Sequence, residues 1–409
     1  MSTDSIEKPK QISSGRITFI LGSLMAFGPL SIDMYLPGLP DIARDFNSDA
    51  GTIQYTLSFF LIGMAAGQTF YGPIADRLGR KLPLLFGCAL YIIASLGCAL
   101  STSAVNLIAL RFIQAIGCCA GMVITNSVVR DLFDARDSAR MYSMLYLVTG
   151  LAPITAPFIG GYLVLYSNWR MIFWVLAIFG CACLLMVIFY LPETLPADRR
   201  TSGGLGKVIV SYGRILTTRG FVGYALCGGF IAGIMFAYIS GSPFVFIELY
   251  GIAPHHYGWL FGMNAFGLVC GSQLNRLLLR RYNNIAIMRT VLWVIAASGL
   301  ALVLLALTGT GGLIGLIIPL FLCISSIALV GANAVALALS PYKKGAGTAS
   351  AMMGTIQLAM GAGSGTLIGV LHTGTAMPMA GIIGLCALAA LITFYTMTEQ
   401  RIRQPSSAS

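Results

Sequence analysis

Charge is scarce in this chain. Only 10% of its 409 residues are Asp, Glu, Lys or Arg, and just 14 of them are acidic. A soluble domain carries about a quarter charged residues. With 57% of the residues hydrophobic, no soluble fold has interior enough to hide the apolar surface. A disordered chain, a coiled coil and a disulfide scaffold are excluded on the same numbers. Twelve membrane spans of ~20 residues would take roughly 240 residues, close to the apolar supply. The composition therefore predicts an all-α polytopic membrane protein.

Other absences narrow the function. The ten cysteines (88, 98, 118, 119, 181, 183, 227, 270, 323 and 386) all fall in apolar runs, with no zinc or extracellular-loop spacing. They read as small buried apolar thiols. His255, His256 and His372 lie near span ends, and the adjacent pair cannot share one helix face, so no metal site is expected. There is no Gly-rich phosphate loop ending in Lys-Ser/Thr, no G-x-S-x-G elbow and no H-E-x-x-H. ATP-driven export, hydrolysis and metalloprotease chemistry lose their motifs. The expectation is a protein that is not an enzyme, needs no cofactor and draws on an ion gradient. The first apolar run begins near Ile17 and continues past Pro29 to Leu36 without a small-x-small cleavage site, so it reads as the first span, not as a signal peptide.

Apolar runs bounded by charges or turn residues predict twelve helical spans, near 17–38, 53–73, 82–101, 106–129, 141–164, 170–191, 220–242, 255–275, 284–307, 312–339, 346–371 and 377–397. With the N-terminus placed in the cytoplasm, 22 of the 25 Lys and Arg residues fall on inside segments. Arg44 and Arg170 fall outside, and Arg111 lies within span four. That asymmetry predicts a multi-pass protein with both termini in the cytoplasm. It also accounts for the net charge of +11, which leaves nucleic-acid binding without motivation.

The longest polar interval, 192–219, follows span six and predicts a cytoplasmic linker between an N-terminal six-helix unit (1–191) and a C-terminal one (220–409). An internal echo supports duplication. Gly72-Pro-Ile-Ala-Asp76-Arg77-Leu-Gly79-Arg80-Lys81 follows span two, and Gly271-Ser-Gln-Leu-Asn275-Arg276-Leu-Leu-Leu-Arg280-Arg281 follows span eight. The basic residues recur, but the acid does not.

Only two clear ionisable residues fall within spans, Asp33 and Arg111. Each costs ~2.5–3.5 kcal/mol at a span centre, so each needs a reason. They sit at similar depth, roughly 7.5 and 9 Å from the outer ends of spans one and four at helical rise. That depth allows a structural ion pair, or a proton site tuned by a nearby cation. In the turn after span two, Gly72 and Gly79 permit a tight connection, and Asp76 and Arg80 share a face if the turn is helical. Gly117 and Gly121 in span four suit close packing, as does the bent Gly150–Pro153–Pro157–Gly160–Gly161 segment of span five. Asn126, Tyr238, Ser240, Asn264, Asn333 and Gln357 either line a cavity or bond between helices. Met25, Phe27, Phe236 and Met353 suit an adaptable apolar pocket or ordinary packing.

Four of these motifs, in this order, resemble the major facilitator superfamily over essentially all twelve spans: Ser31-Ile-Asp33-Met-Tyr35-Leu-Pro37, Gly72–Lys81, Arg111–Gly121 and Gly150–Gly161. Asp33-Met-Tyr-Leu-Pro37 is similar to the bicyclomycin/chloramphenicol-resistance subfamily of twelve-span drug:proton antiporters. The resemblance implies two pseudo-symmetric six-helix bundles around a cavity that opens to one side at a time. It implies proton coupling through Asp33 and Arg111; the candidate substrate contacts, read from the polar and aromatic residues of the spans, are Asp33, Tyr35, Asn126, Phe236, Tyr238, Asn264 and Gln357. It implies gating through Gly72, Asp76, Arg77, Gly79, Arg80, Asp131, Gly150, Pro153, Pro157, Gly160 and Gly161. Asp76 would face the start of span eleven near Gly345 and Gly347, Arg80 would pair with Asp131, and the outward-facing state would be held by these contacts. The lost acid at Asn275 puts any matching latch in the second half in doubt.

The leading expectation is a monomeric proton-coupled exporter of small hydrophobic drugs, exchanging them for protons within membrane lipid. Export of a physiological metabolite is the alternative. A transport-dead sensor is disfavoured by the insertion cost of Asp33 and Arg111.

Overall fold

The computed structural model describes residues 14–200, 213, 215–342 and 346–398. Lys8, Lys10, Lys207, Arg214, Lys343, Lys344, Arg401 and Arg403, all counted on the inside segments, lie outside the described residues, as do residues 201–212 and 214 of the 192–219 linker. No strand occurs among the described residues.

The first span is a bent column of α1 (Ser14–Met25), α2 (Phe27–Asp33), a 3-10 turn (Leu36–Gly38) and α3 (Leu39–Asp45). Backbone bonds from Ala26, Leu30 and Met34 to the carbonyls four residues earlier carry it across the joints. Pro37 and Pro40 stand at the starts of the last two segments, where a missing N–H is tolerated. Five columns follow: α4 (Ala50–Leu78), α5 (Lys81–Ala99), α6 (Ala104–Leu132), α7 (Ala135–Tyr166) and α8 (Arg170–Tyr190). Asp49 and Ser103 cap α4 and α6 by accepting from the N–H groups of Thr52 and Asn106. The second half comprises α9 (Arg219–Pro243, continued by a π-turn at Phe244–Leu249), α10 (Pro254–Leu278), α11 (Asn284–Thr308), α12 (Gly312–Leu339), α13 (Ala346–Val370) and α14 (Met377–Thr393, with a π-turn at Phe394–Thr398).

Packing repeats between the halves. The pairs α4–α6, α5–α6, α5–α8 and α1–α7 reappear as α10–α12, α11–α12, α11–α14 and α9–α13. Small residues permit the closest approaches. A Cβ at Gly117 would stand 2.7 Å from the Gly87 carbonyl of α5, and one at Gly121 would stand 2.8 Å from the Leu24 carbonyl of α1. The two glycines thus serve different neighbours.

The halves meet along two seams, α4 against α13 and α7 against α10. Among the described residues nine helices are apolar and long enough to cross a membrane; α4, α10 and α13 are not among them. Each of these three has at least 25 residues, or ~37 Å, so length is not the reason. They carry Gln54, Ser58, Asn264, Asn275 and Ser364 in protein-buried positions, where polarity is tolerated.

Three expectations are corrected. Gly72 lies inside α4 with open space around it, so only Gly79 (φ 92°) makes the turn. The helix runs through Pro73 to Leu78 and places Asp76 and Arg77 on its last turn. Cys181 and Cys270 are exposed, because they fall on outward helix faces; the other eight thiols are buried and all ten are free.

Candidate functional site between the two bundles

Asp33 closes α2 and is 4% exposed. Tyr238 and Tyr257 of the second half stand within electrostatic reach of its carboxyl. Tyr238 accepts from Asn264 Nδ2 at 3.2 Å, and Tyr257 shares a 2.8 Å hydrogen bond with Ser242. No ion pair joins Asp33 to Arg111 among the described residues.

Arg111 is instead enclosed within the N-terminal bundle. Its guanidinium lies 4.2 Å from the Phe60 ring centroid, 4.6 Å from Tyr35 and 5.8 Å from Phe173. A desolvated cation gains about 2 kcal/mol from such faces. Arg111 Nη1 donates to Gln114 at 2.6 Å, Gln114 donates to Ser95 at 2.8 Å, and Ser95 donates to the Tyr91 carbonyl at 2.7 Å. The Tyr91 hydroxyl meets Ser31 at 2.7 Å, two residues before Asp33. Tyr35 belongs to this cage: its hydroxyl is bonded to Thr56 at 2.9 Å and its ring covers Arg111.

The two ends of the seam differ. At the end bearing Gly51 and Gly161, backbones close tightly. Across the seam a Cβ at Gly51 would collide with the Gly369 carbonyl and one at Gly161 would lie 2.6 Å from the Pro254 carbonyl, while within the N-terminal half a Cβ at Gly160 would collide with the Met34 carbonyl. Pro153 and Pro157 lie inside α7 just before this contact, whereas Gly150 faces open space. Below the closure is an enclosed cavity of about 10 Å³, lined by Ile32, Ser58, Phe236, Ser240 and Gly365 among others. The opposite end holds a cavity of about 590 Å³, whose walls include Gln68, Asp76, Asn126, Arg130, Gly347 and Ser350. Gln357 lies against Gly228, away from that cavity's recorded wall.

Beside the open end is a charged cluster. Arg80, almost fully buried, donates from Nε to Asp131 at 2.9 Å and from Nη1 to Asp76 at 2.5 Å. Burial opposes its charge, but the two carboxylates outweigh it and hold Arg80 more firmly protonated than usual. Arg77 is exposed and makes none of these contacts. Asp76 and Gly347 line the same cavity; Gly345 lies outside the described residues. Sequence reasoning missed Glu193. It accepts from the N–H groups of Arg80 (2.7 Å), Lys81 (3.2 Å) and Leu195 (3.0 Å), and so caps α5 from 112 residues away. Gly79 leaves room for its carboxylate. Burial raises the Glu193 pKa, but these N–H donors bring it below the usual carboxylate value. Thr194 adds a 3.2 Å bond to Asp131. The available signal was an acid directly after span six, at the end where Arg80 lies.

Two six-helix units that meet along two seams have the form of a polytopic membrane transporter. The Major Facilitator Superfamily model matches residues 21–367, and the chain belongs to that family as a multi-pass membrane protein. It is 31% identical over 383 residues to a bicyclomycin resistance protein homolog of Haemophilus influenzae, covering 94% of this chain and 96% of that one. It is 36% identical over 395 residues to the uncharacterized MFS-type transporter YdgK of Bacillus subtilis, covering 95% and 97%. It is 30% identical over 370 residues to the multidrug resistance protein MdtL of Shigella dysenteriae serotype 1, covering 90% and 92%. In fold it is similar to a crystal structure of the D-xylose-proton symporter, with a TM-score of 0.72 over 93% of this chain and 97% of that one, at 15% identity.

Proposed function

We propose that this protein exports small hydrophobic compounds, neutral or weakly cationic and of the chloramphenicol or bicyclomycin kind, in exchange for protons across the bacterial plasma membrane. The observation that carries the reading is Asp33: a buried carboxyl at the seam, next to second-half residues and free of Arg111. A buried acid without a cation partner costs several kcal/mol when charged, so its protonation responds to whatever enters beside it. The relatives named for bicyclomycin and multidrug resistance support the cargo class.

With the basic end in the cytoplasm, the present conformation is inward-facing. Cargo enters from that side and Asp33 releases its proton as cargo binds. The halves then rock against each other, Asp76 approaches the start of α13, the glycine contacts at the outer end part, and that end opens. An external proton on Asp33 displaces the cargo. Arg111 acts through its cage: it is linked to α2 by the Gln114–Ser95–Tyr91–Ser31 chain and positions the helix that carries Asp33.

The test is proton release by the detergent-purified protein on adding chloramphenicol, alongside Asp33→Asn. Acidification in the original and none in the variant is expected. Release that persists in Asp33→Asn overturns the role of Asp33, and no release from the original overturns the coupling to this cargo.

A further inference from the structure

A second large cavity lies outside the seam. It measures about 1010 Å³ and is walled by Gly15, Phe19, Ala26 and Leu30 of the first column, by Met144 of α7 and by Phe179 of α8, among others. Every lining residue comes from the N-terminal bundle. On α1 and α2 the lining positions 15, 19, 22, 26 and 30 recur at helical spacing. They form the face opposite Leu24 and Gly28, which pack on α6. Phe19, Met144 and Leu147 are exposed along it. The groove therefore opens toward lipid and is separate from the cavity between the bundles.

Its dimensions match one leaflet. From Gly15 to Leu30 is roughly 22 Å at helical rise, about half of a bilayer's ~40–45 Å including headgroups. Its mouth carries one charge of each sign. Asp137 and Arg140 line the entrance from α7, three residues apart on one face, both exposed and not ion-paired to each other. Deeper in, the walls are apolar apart from Thr18 and Ser23 of α1.

From this geometry we propose that the α1–α7–α8 groove is a binding site for a zwitterionic phospholipid. An acyl chain lies along α1, the phosphate sits on Arg140 and a primary ammonium sits on Asp137. Guanidinium suits phosphate oxygens, and a carboxylate beside it penalises a headgroup of net negative charge. The site is independent of how protons are handled at Asp33.

The test uses the full-length protein in neutral detergent, titrated with equimolar phosphatidylethanolamine and phosphatidylglycerol and read by native mass spectrometry. Phosphatidylethanolamine is expected to be retained about three- to fivefold over phosphatidylglycerol, the discrimination that exposed charges supply. Asp137→Asn should erase that preference by admitting phosphatidylglycerol, and Arg140→Gln should weaken both lipids. Ser23→Phe, which narrows the groove with both charges in place, should also weaken both. Equal retention of the two lipids, a preference that survives both charge substitutions, or displacement of the lipid by chloramphenicol would each overturn the proposal; the last would assign the groove to cargo.

Discussion

The turn after span two and the turn after span eight occupy matching positions in the repeat but are built from different chemistry. In the first half Arg80 sits between Asp76 and Asp131, with Glu193 on the adjoining backbone. In the second, Asn333 donates to Asn275 at 2.7 Å and accepts from Asn284 at 2.8 Å. Asn275 stands where Asp76 does, and Asn333 lies near the end of span ten as Asp131 lies near the end of span four. The ionic cluster needs every charge answered, and an approaching helix end perturbs it. The amide ladder is neutral and satisfied within itself, so it holds its helices together without responding to charge. The difference teaches that the same joint can be held by ion pairs in one half and by neutral amides in the other.

The comparison breaks most severely if the second half is given the first half's acid. Asn275 is buried, and Arg276, Arg280 and Arg281 beside it are exposed and form no ion pair among the described residues. Asn275→Asp puts a carboxylate into a ladder that offers no cation. Leaving a buried charge uncompensated costs about 3 kcal/mol or more. A large fall in apparent Tm in detergent at neutral pH is expected. An unchanged Tm would mean that the two turns are chemically interchangeable.

A smaller effect is expected at Glu193, which links the ionic cluster to the segment after span six. Glu193→Gln keeps the shape but gives up charge-assisted bonds from backbone N–H groups, worth about 1–2 kcal/mol. The pH dependence has a definite sign. The folded pKa of Glu193 lies below that of an unfolded glutamate, ~4.3. Its stabilisation is therefore fully present above that value and disappears as pH falls through the folded pKa. The Tm gap between the original and Glu193→Gln should be open at pH 7, start to narrow only below the unfolded value of ~4.3, and close as pH falls through the lower folded pKa. A gap independent of pH would assign the effect to packing alone.

The sequence carried the fold readily, because twelve apolar runs and a one-sided distribution of Lys and Arg survive any tertiary detail. α4, α10 and α13 were visible as spans by their position between turns, although their polar seam faces dilute the apolar signal. Local motifs located Arg80 and Asp131 but gave no hint of Glu193, whose partners lie more than a hundred residues away. Equal depth in the membrane suggested that Asp33 and Arg111 meet. Depth carries no rotation about the helix axis, and α6 turns Arg111 toward Phe60 and Phe173 instead. Gly72 reads with Gly79 as part of a tight connection after span two, yet α4 continues for six residues beyond it. Tyr35 looked like a cavity residue beside Asp33, but two positions along a helix turn a side chain to a different face.

The smallest stability effect should come from Asp76, and that is why it is the most useful probe of the comparison. Its side chain is 48% exposed, against 6% for Arg80, so Asp76→Asn should cost only about 0.5 kcal/mol. Arg80 keeps Asp131, and the fold keeps its joint. If Asp76 serves only the joint, transport should fall no more than stability does. If it attracts the start of α13 when the cavity beside Gly347 closes, the loss appears in turnover, because the missing attraction belongs to the closed conformation and not to this one. A Tm within about 1–2 °C of the original, together with a severalfold drop in drug efflux from proteoliposomes, is the expected pair of results. The equivalent Asn275→Ala should show the reverse pattern, with Tm falling first and turnover following it. If both variants lose stability and turnover in step, the first-half cluster is a joint like its counterpart and the switching element lies elsewhere along the α4–α13 seam.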